Sequence, residues 1–281
     1  MDRSDLATRM KDYEAISKTR LMKRCPVICR IDGKAFHTFT RGFKRPFDEI
    51  LIKTMQETTK YLCENIQGCV LGYTQSDEIT LVLVDYKELN TAPYFDYEVQ
   101  KLCSIIASMT TMTFNRLFTE NVEASFREEF TKRGLNGSNE VDGFNKLQDE
   151  YKVYTNKLNQ AMFDCRVFNI PKEEVTNNIY WRQLDASRNS VQMVGQANFS
   201  HNKLQKKSCN KIQDMLMTQR GINWNDFPTY QKRGTCIIKE SYIDAGSSDD
   251  SENVRTHWII DKNIPIFKGE GREYIEKLIN F

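Results

Sequence analysis

Short apolar runs and longer helical patterns alternate along the first two thirds of the chain. Runs rich in β-branched and aromatic residues predict strands at PVICRI, CVLGY, EITLVLV and MFDCRVFNI. Apolar residues at helical spacing predict one helix after Pro46 and a second from about Tyr94 to Phe118. The order strand, helix, strand, strand, helix, strand is ferredoxin-like. We therefore expect an α+β fold: a ferredoxin-like, polymerase-palm antiparallel sheet with helices on one face and C-terminal helical and strand elaborations.

The chain of 281 residues is long enough to form a single catalytic domain spanning 1–281. We expect the palm-like core at about 20–118 and 161–240. The polar segment at about 119–160 suggests a charged insertion, and about 241–281 a C-terminal extension. Within that extension, the acidic run DAGSSDDSE suggests a loop without an assigned role, and HWIIDKNIPIF suggests a strand returning to the sheet.

Acidic residues are predicted to meet at one edge of this sheet. Asp32 leaves the first strand where the turn carrying Asp77 and Glu78 enters the third. Because adjacent strands lie about 4.8 Å apart, Asp32 and Asp77 should converge. Close carboxylates repel unless a cation lies between them, and carboxylate oxygens with open positions favour Mg²⁺. An ordinary acidic hairpin turn is the simpler alternative, but Gly33 favours a metal site because no side chain shields its carbonyl.

Overall composition narrows the possible partners and compartment. The net charge of +2 gives no global field that would demand nucleic acid, so any basic surface must be local. Eight cysteines occur without a CxxC pair or zinc-spaced histidine, which suggests reduced thiols. The charged N-terminus and the lack of a long apolar run predict a cytoplasmic protein without a membrane partner.

Five segments together resemble the motifs of a known enzyme family. RIDGKAFHTFTRGFKRPFDE, GYTQSDE, FDCRVFNIP, YWRQLDASRNS and INWNDFPTYQKRGT occur in order between about 20 and 237. They resemble the tRNA(His) guanylyltransferase family, whose members add nucleotides in the 3′-5′ direction to the 5′ end of tRNA. The resemblance implies a metal-dependent nucleotidyltransferase acting on tRNA with ATP, GTP or other nucleoside triphosphates.

The resemblance also implies a set of site residues. Asp32, the Gly33 carbonyl and Asp77 match metal-binding positions for two Mg²⁺ ions, and Glu78 is a further catalytic candidate. The family's Lys-Pro-x-Asp segment reads Arg-Pro-Phe-Asp here, so its basic role is expected to pass to a neighbouring lysine or to the arginine. The nucleotide-binding candidates are Arg30, Lys34, Ala35, Phe36, His37, Lys44, Arg45, Ser76, Lys101 and Ser104.

A second group of candidates could contact RNA or a triphosphate. Lys207 and Lys211 would face one phosphate if their segment were a helix, although a solvated helix face is an equal alternative. His37 is more typical of a packed or capping residue than of a catalytic one. The full second group is Asn189, Lys207, Lys211, Lys232 and Arg233.

Two substitutions bear on which branch of the family the chain resembles. Members that add one untemplated G to tRNA(His) carry a His and paired Asn residues after WRQ, where this chain has Ser187 and Ser190. This resembles the branch that repairs 5′-truncated tRNAs by templated addition, after ATP activates a 5′-monophosphate end. Untemplated addition of G, a nucleotide cyclase and a non-catalytic RNA-binding module remain alternatives. The resemblance also implies a homotetramer, a dimer of dimers.

Overall fold

A computed structural model describes residues 4–135, 141–243 and 254–281. Within them, six strands form one antiparallel sheet in the order β4-β1-β3-β2-β5-β6. The strands are β1 (Val27–Gly33), β2 (Cys69–Gln75), β3 (Glu78–Leu83), β4 (Phe163–Asn169), β5 (Thr235–Ile243) and β6 (Val254–Asp261).

Helices connect and cover the strands. None of those in the described ranges is both long and apolar enough to cross a membrane. They are α1 (Asp5–Ala15), α2 (Phe36–Phe39), α3 (Glu49–Asn65), α4 (Val99–Lys132), α5 (Val141–Thr155), α6 (Val175–Asn198), α7 (His201–Leu204), α8 (Cys209–Arg220), α9 (Thr229–Arg233) and α10 (Glu273–Ile279).

The first four strands and helices α3 and α4 form the predicted ferredoxin-like core. Strand β3 lies between β1 and β2, and all of its residues are buried. The C-terminal hairpin of β5 and β6 extends the sheet beyond β2, so the predicted return of the chain as a strand is confirmed. The predicted acidic loop at 244–252 lies outside the described residues.

Alternation along the strands gives the sheet two apolar faces. Cys29 and Ile31 of β1 join the core cluster that also contains residues of α3 and α4. Ile28 points to the opposite side and packs with residues of α6 and α10, which are the C-terminal helical elaborations. Fully burying one large aliphatic side chain stabilises the fold by about 1.5–3 kcal/mol. Both faces therefore hold the strand ends in fixed positions.

Helix α4 is longer than its pattern predicts. An end near Phe118 was the expectation, but the helix continues to Lys132. Its second half retains a narrow apolar face, on which the Phe126 ring meets Tyr151 of α5 edge-on at 5.2 Å. The charged residues that suggested an insertion lie on the other sides of this helical pair. The segment predicted as an insertion thus includes the end of α4 and all of α5.

Candidate active site

The carboxylates of Asp32 and Asp77 lie at one end of the sheet. Asp32 is near the end of β1, and Asp77 is in the tight turn between β2 and β3. The Gly33 amide donates a hydrogen bond to the Asp77 carbonyl at 3.1 Å. Both acids line one cavity of about 610 Å³. The structure therefore brings the two acids together, as the strand topology predicts.

Two non-glycine residues lining this cavity have left-handed backbone conformations. Ser76 has φ +51° in the β2–β3 turn, and Ala35 has φ +54° before α2. Such conformations cost about 1–3 kcal/mol each and persist where the surrounding fold enforces them. The Ser76 hydroxyl donates to Asp77 Oδ1 at 3.0 Å, so the strained turn also orients the carboxylate.

The surroundings of Asp77 disfavour its negative charge. Burial is the largest cause that raises the pKa of Asp77, and the charges of Asp32 and Glu78 raise it further. The hydrogen bond from Ser76 opposes this shift. A bound cation would relieve the repulsion, so the electrostatics favour a positive ion beside Asp77.

Basic side chains line the same cavity. His37 and Lys44 are joined there by Arg41 and Arg45. Arg41 was not among the sequence candidates, although it lies within the motif that contains the others. Four potential cations and three acids, Asp32, Asp48 and Asp77, line one cavity, which can accommodate an anionic phosphate chain together with a metal ion.

The packing around Gly33 leaves no room for a side chain. A Cβ at Gly33 would overlap the Phe36 ring, which is buried. That ring packs against Phe39 and Phe163 with centroid distances of 4.9 and 5.0 Å. The predicted site residues Gly33, Ala35 and Phe36 all line the cavity.

Glu78 lies away from the cavity lining, in a buried ion-pair cluster. Its Oε1 is 2.6 Å from Arg182 Nε, and its Oε2 accepts hydrogen bonds from Arg182 Nη2 at 2.8 Å and Arg30 Nη2 at 3.2 Å. Arg182 also pairs with Asp185 at 2.7 Å. Two predicted site residues, Glu78 and Arg30, therefore contact each other, and the sequence analysis missed their partner Arg182.

A further acid and arginine lie beside Asp32. The β1–β4 register places Asp164 directly opposite Asp32. Arg166 Nη2 lies 3.6 Å from Asp32 Oδ2 and 3.4 Å from Asp164 Oδ1. Both residues occur in the FDCRVF motif, but only the register of the antiparallel pair reveals that they are close to the acids.

Besides Arg30, three predicted nucleotide ligands do not line the cavity. Lys101 and Ser104 lie on the first two turns of α4. The Phe163 amide donates to Thr111 Oγ1 at 3.2 Å, so the cavity end of β4 lies level with Thr111. At about 1.5 Å per residue, Lys101 is roughly 15 Å further along the helix. Lys34 is exposed and does not line the cavity.

The basic candidates near the C-terminus also lie elsewhere. Lys207 precedes α8 whereas Lys211 lies within it, so the condition that one helix carries both is not met. Lys232 is buried, and its ammonium donates to the Asn225 carbonyl. Arg233 follows it in α9, and its carbonyl accepts a hydrogen bond from a buried tyrosine. Because its side chain is buried, Lys232 is poorly placed to contact RNA.

The residues of the WRQ region lie close to the turn that carries Asp77. Asn189 lines a smaller crevice, which shares Ser76 and Met193 with the main cavity. Ser190 is buried and accepts a hydrogen bond from Trp224 Nε1 at 3.0 Å. Ser187 donates to a carbonyl one turn earlier in α6. Asn189 and Ser190 therefore both line this crevice.

Comparisons with known proteins match this architecture. The family model described as tRNAHis guanylyltransferase matches residues 7–171. The chain is similar to a bacterial tRNA(His) guanylyltransferase-like protein solved in complex with ATP, with 40% identity, a TM-score of 0.77, and coverage of 98% of this chain and 99% of that one. A structure of a bacterial tRNA(His) guanylyltransferase-like protein with GTP gives 37% identity, a TM-score of 0.73, and coverage of 99% and 100%. The tRNA(His) guanylyltransferase of Saccharomyces cerevisiae is 24% identical over 237 residues, covering 79% of this chain and 86% of the yeast protein.

Proposed function

Because this chain belongs to the tRNA(His) guanylyltransferase family of nucleotidyltransferases, we propose that it adds templated nucleotides to the 5′ end of truncated tRNA. The observation that best supports this proposal is the cavity lined by Asp32 and Asp77 together with Lys44, Arg45 and other basic side chains. Acids that can hold a cation and bases that can hold phosphates are what a nucleotidyl transfer site needs. Similarity to proteins solved with ATP and GTP supports a nucleoside triphosphate as the ligand.

The residues present fit the Mg²⁺ that the family implies. In the described ranges, no three His, Cys, Asp or Glu side chains group closely enough to hold a metal alone. Asp32, Asp77 and the Gly33 carbonyl would hold two Mg²⁺ ions. Because the protein supplies so few ligands, phosphate and water would complete the coordination, as is usual for this ion. When bound, the ions supply charge neutralisation for the attacking and leaving oxygens.

The proposed reaction has two nucleotidyl transfer steps. The 5′-monophosphate of the RNA first attacks the α-phosphate of ATP, which releases pyrophosphate and leaves an adenylylated end. The 3′-hydroxyl of the incoming nucleotide then attacks that end and releases AMP. Lys44 and Arg45 would neutralise phosphate charge, and Arg166, close to Asp32, is placed to do the same. Glu78 would contribute indirectly, by holding Arg30 and Arg182 in position.

Ser187 and Ser190 favour templated repair over untemplated addition of G. Ser187 and Ser190 make hydrogen bonds within the protein, so neither supplies the His or Asn side chain of the untemplated branch. Identity is also higher to the two bacterial tRNA(His) guanylyltransferase-like structures than to the yeast enzyme. Both points support templated repair as the main reaction.

To test this, one preparation of the protein is incubated with ATP, GTP and Mg²⁺ and with each of two RNA substrates. One is intact tRNA(His), and the other is a tRNA lacking its first nucleotide. We expect efficient templated repair of the second and little addition to the first, with both lost in excess EDTA. Preference for the intact tRNA(His) would contradict the repair assignment, and activity without divalent ions would contradict the metal assignment.

The homotetramer that the resemblance implies and the cytoplasmic compartment expected from the composition stay predictions. A homotetramer would sediment at four times the chain mass of 32.9 kDa, which analytical ultracentrifugation measures directly. Cytoplasmic localisation is tested by fractionating cells that express the tagged chain.

A further inference from the structure

Helix α5 contacts Asp48, one of the residues that line the cavity, through one buried tyrosine. The Tyr154 side chain is only 3% exposed, and its hydroxyl donates to Asp48 Oδ2 at 2.7 Å. Its ring lies 4.8 Å from that of Phe43. Burial and the neighbouring Asp48 carboxylate both raise the pKa of Tyr154, so its hydroxyl stays protonated and can donate. Since α5 belongs to the segment predicted as an insertion, this contact gives that segment a link to the site.

Asp48 connects this hydroxyl to the basic residues of the cavity. Its Oδ2 also accepts from the Lys44 amide at 3.0 Å, and its Oδ1 accepts from the Leu51 amide at the start of α3. These two bonds are local, whereas Tyr154 lies 106 residues away in the chain. The Tyr154 hydroxyl is thus the bond that ties this local turn to a separate helix.

Two other residues of α5 and its C-terminal end touch the same segment. Gly42 has φ +93°, and a Cβ there would lie 2.6 Å from the Val153 side chain. Lys157 Nζ donates to the Thr38 carbonyl at 3.3 Å. The contacts are spread along 38–48, which is the stretch that supplies the basic cavity residues. Holding such a stretch in its bound conformation lowers the entropy lost on binding.

We propose that Tyr154 is a positioning residue for nucleotide binding, which acts through Asp48 to hold Lys44 and Arg45 where they meet the phosphates. The inference rests on the proposed function, because it assumes that a nucleoside triphosphate occupies this cavity. It predicts an effect on nucleotide affinity rather than on the chemical step, since Tyr154 does not line the cavity.

The chain offers a matched control in Tyr151. This tyrosine lies on the same helix, is also buried, and makes one hydroxyl hydrogen bond, to Ser125 of α4 at 2.8 Å. Tyr154→Phe and Tyr151→Phe each keep the ring and delete one hydroxyl. A purely structural role would therefore give the two variants the same behaviour.

The experiment measures the Kd of ATP by calorimetry for both variants and the wild type. It also measures the KM for ATP and the kcat of the repair reaction for each protein. We expect Tyr154→Phe to raise Kd and KM about five- to tenfold with kcat within about twofold, and Tyr151→Phe to leave all three within about twofold. Hydrogen exchange without nucleotide should be faster at Lys44 and Arg45 in Tyr154→Phe alone. Thermal unfolding of each variant checks that it is folded.

The outcomes separate this inference from the function on which it rests. Equal Kd values for the two variants, or a loss confined to kcat, would overturn the positioning role. Failure of the wild type to bind ATP would instead contradict the proposed function. Binding by the wild type that Tyr154→Phe leaves unchanged contradicts the positioning role alone.

Discussion

Asp77 and Glu78 are adjacent in the chain, yet they occupy opposite electrostatic environments. Asp77 lines an open cavity with Asp32, and its pKa is raised by burial and by neighbouring acids. Glu78 is buried between Arg182 and Arg30, and both of its oxygens face guanidinium groups. One carboxylate has a charge that the protein leaves uncompensated, and the other has a charge that the protein balances.

The difference separates a ligand position from a structural one. An uncompensated carboxylate costs stability in the empty site and gains a partner when a cation binds. A paired buried carboxylate has its charge balanced by its partner and is costly to remove, because the partner would remain charged. We therefore propose that Asp77 binds metal and that Glu78 positions β3 against α6.

The largest expected effect comes from Asp77→Asn. Repair activity should fall by about 10³-fold, because a ligand that stabilises transition-state charge is worth several kcal/mol. The metal-free protein should nevertheless unfold at a higher temperature, since the variant lacks the disfavoured charge. Primer-extension assays on truncated tRNA and calorimetric melting measure the two effects.

Asp149→Asn is the control for this variant. Asp149 is 65% exposed on α5 and pairs with the equally exposed Lys152, so its neutralisation should leave both activity and stability nearly unchanged. A destabilised Asp77→Asn protein would contradict the claim that the charge of Asp77 is uncompensated.

The next effect is on stability, from Glu78→Gln. Removing the charge leaves Arg182 buried with a weaker partner, which should cost about 3–5 kcal/mol of unfolding free energy. Glu64→Gln, at a half-exposed pair with Lys60, should cost at most about 0.5 kcal/mol. Denaturant unfolding measures both.

The activity of folded Glu78→Gln decides between the two roles. If Glu78 positions the strand, activity per folded molecule should fall about tenfold rather than about 10³-fold. A variant as stable as the wild type but as inactive as Asp77→Asn would place Glu78 with the metal ligands.

These contrasts show what the sequence could and could not predict. The approach of Asp32 and Asp77 follows from strand order, because antiparallel neighbours fix which ends meet. The pairing of Glu78 with Arg182 joins residues 104 positions apart, and no local pattern encodes it. Likewise, the lysine-rich stretch containing Lys207 has a plausible helical spacing, but the helix begins only at Cys209.

A smaller effect concerns the pH dependence of stability. Because the folded pKa of Asp77 is raised, the folded state holds that proton more tightly than the unfolded state. The stabilisation from this bound proton is therefore complete below the ordinary Asp pKa, about 3.9, and is lost as pH rises through the folded pKa. The stability advantage of Asp77→Asn should accordingly vanish in acid and reach its full size at neutral pH. Unfolding of both metal-free proteins across this range measures it, and an advantage that grows towards acid would contradict the sign.

The smallest expected effect is that of Ser76→Ala, which deletes one donor to Asp77 while keeping a side chain in the left-handed turn. Because the Ser76 hydrogen bond lowers the pKa of Asp77, its loss should raise that pKa further, as carbon-detected NMR titration of the metal-free protein can measure. Activity at neutral pH should fall by less than about tenfold, since the hydroxyl orients the carboxylate without replacing it. Ser187→Ala, which deletes a hydroxyl bonded to its own helix, should leave the titration of Asp77 unchanged. An unshifted Asp77 in Ser76→Ala would mean that burial and the neighbouring acids alone set its charge, which would sharpen its contrast with Glu78.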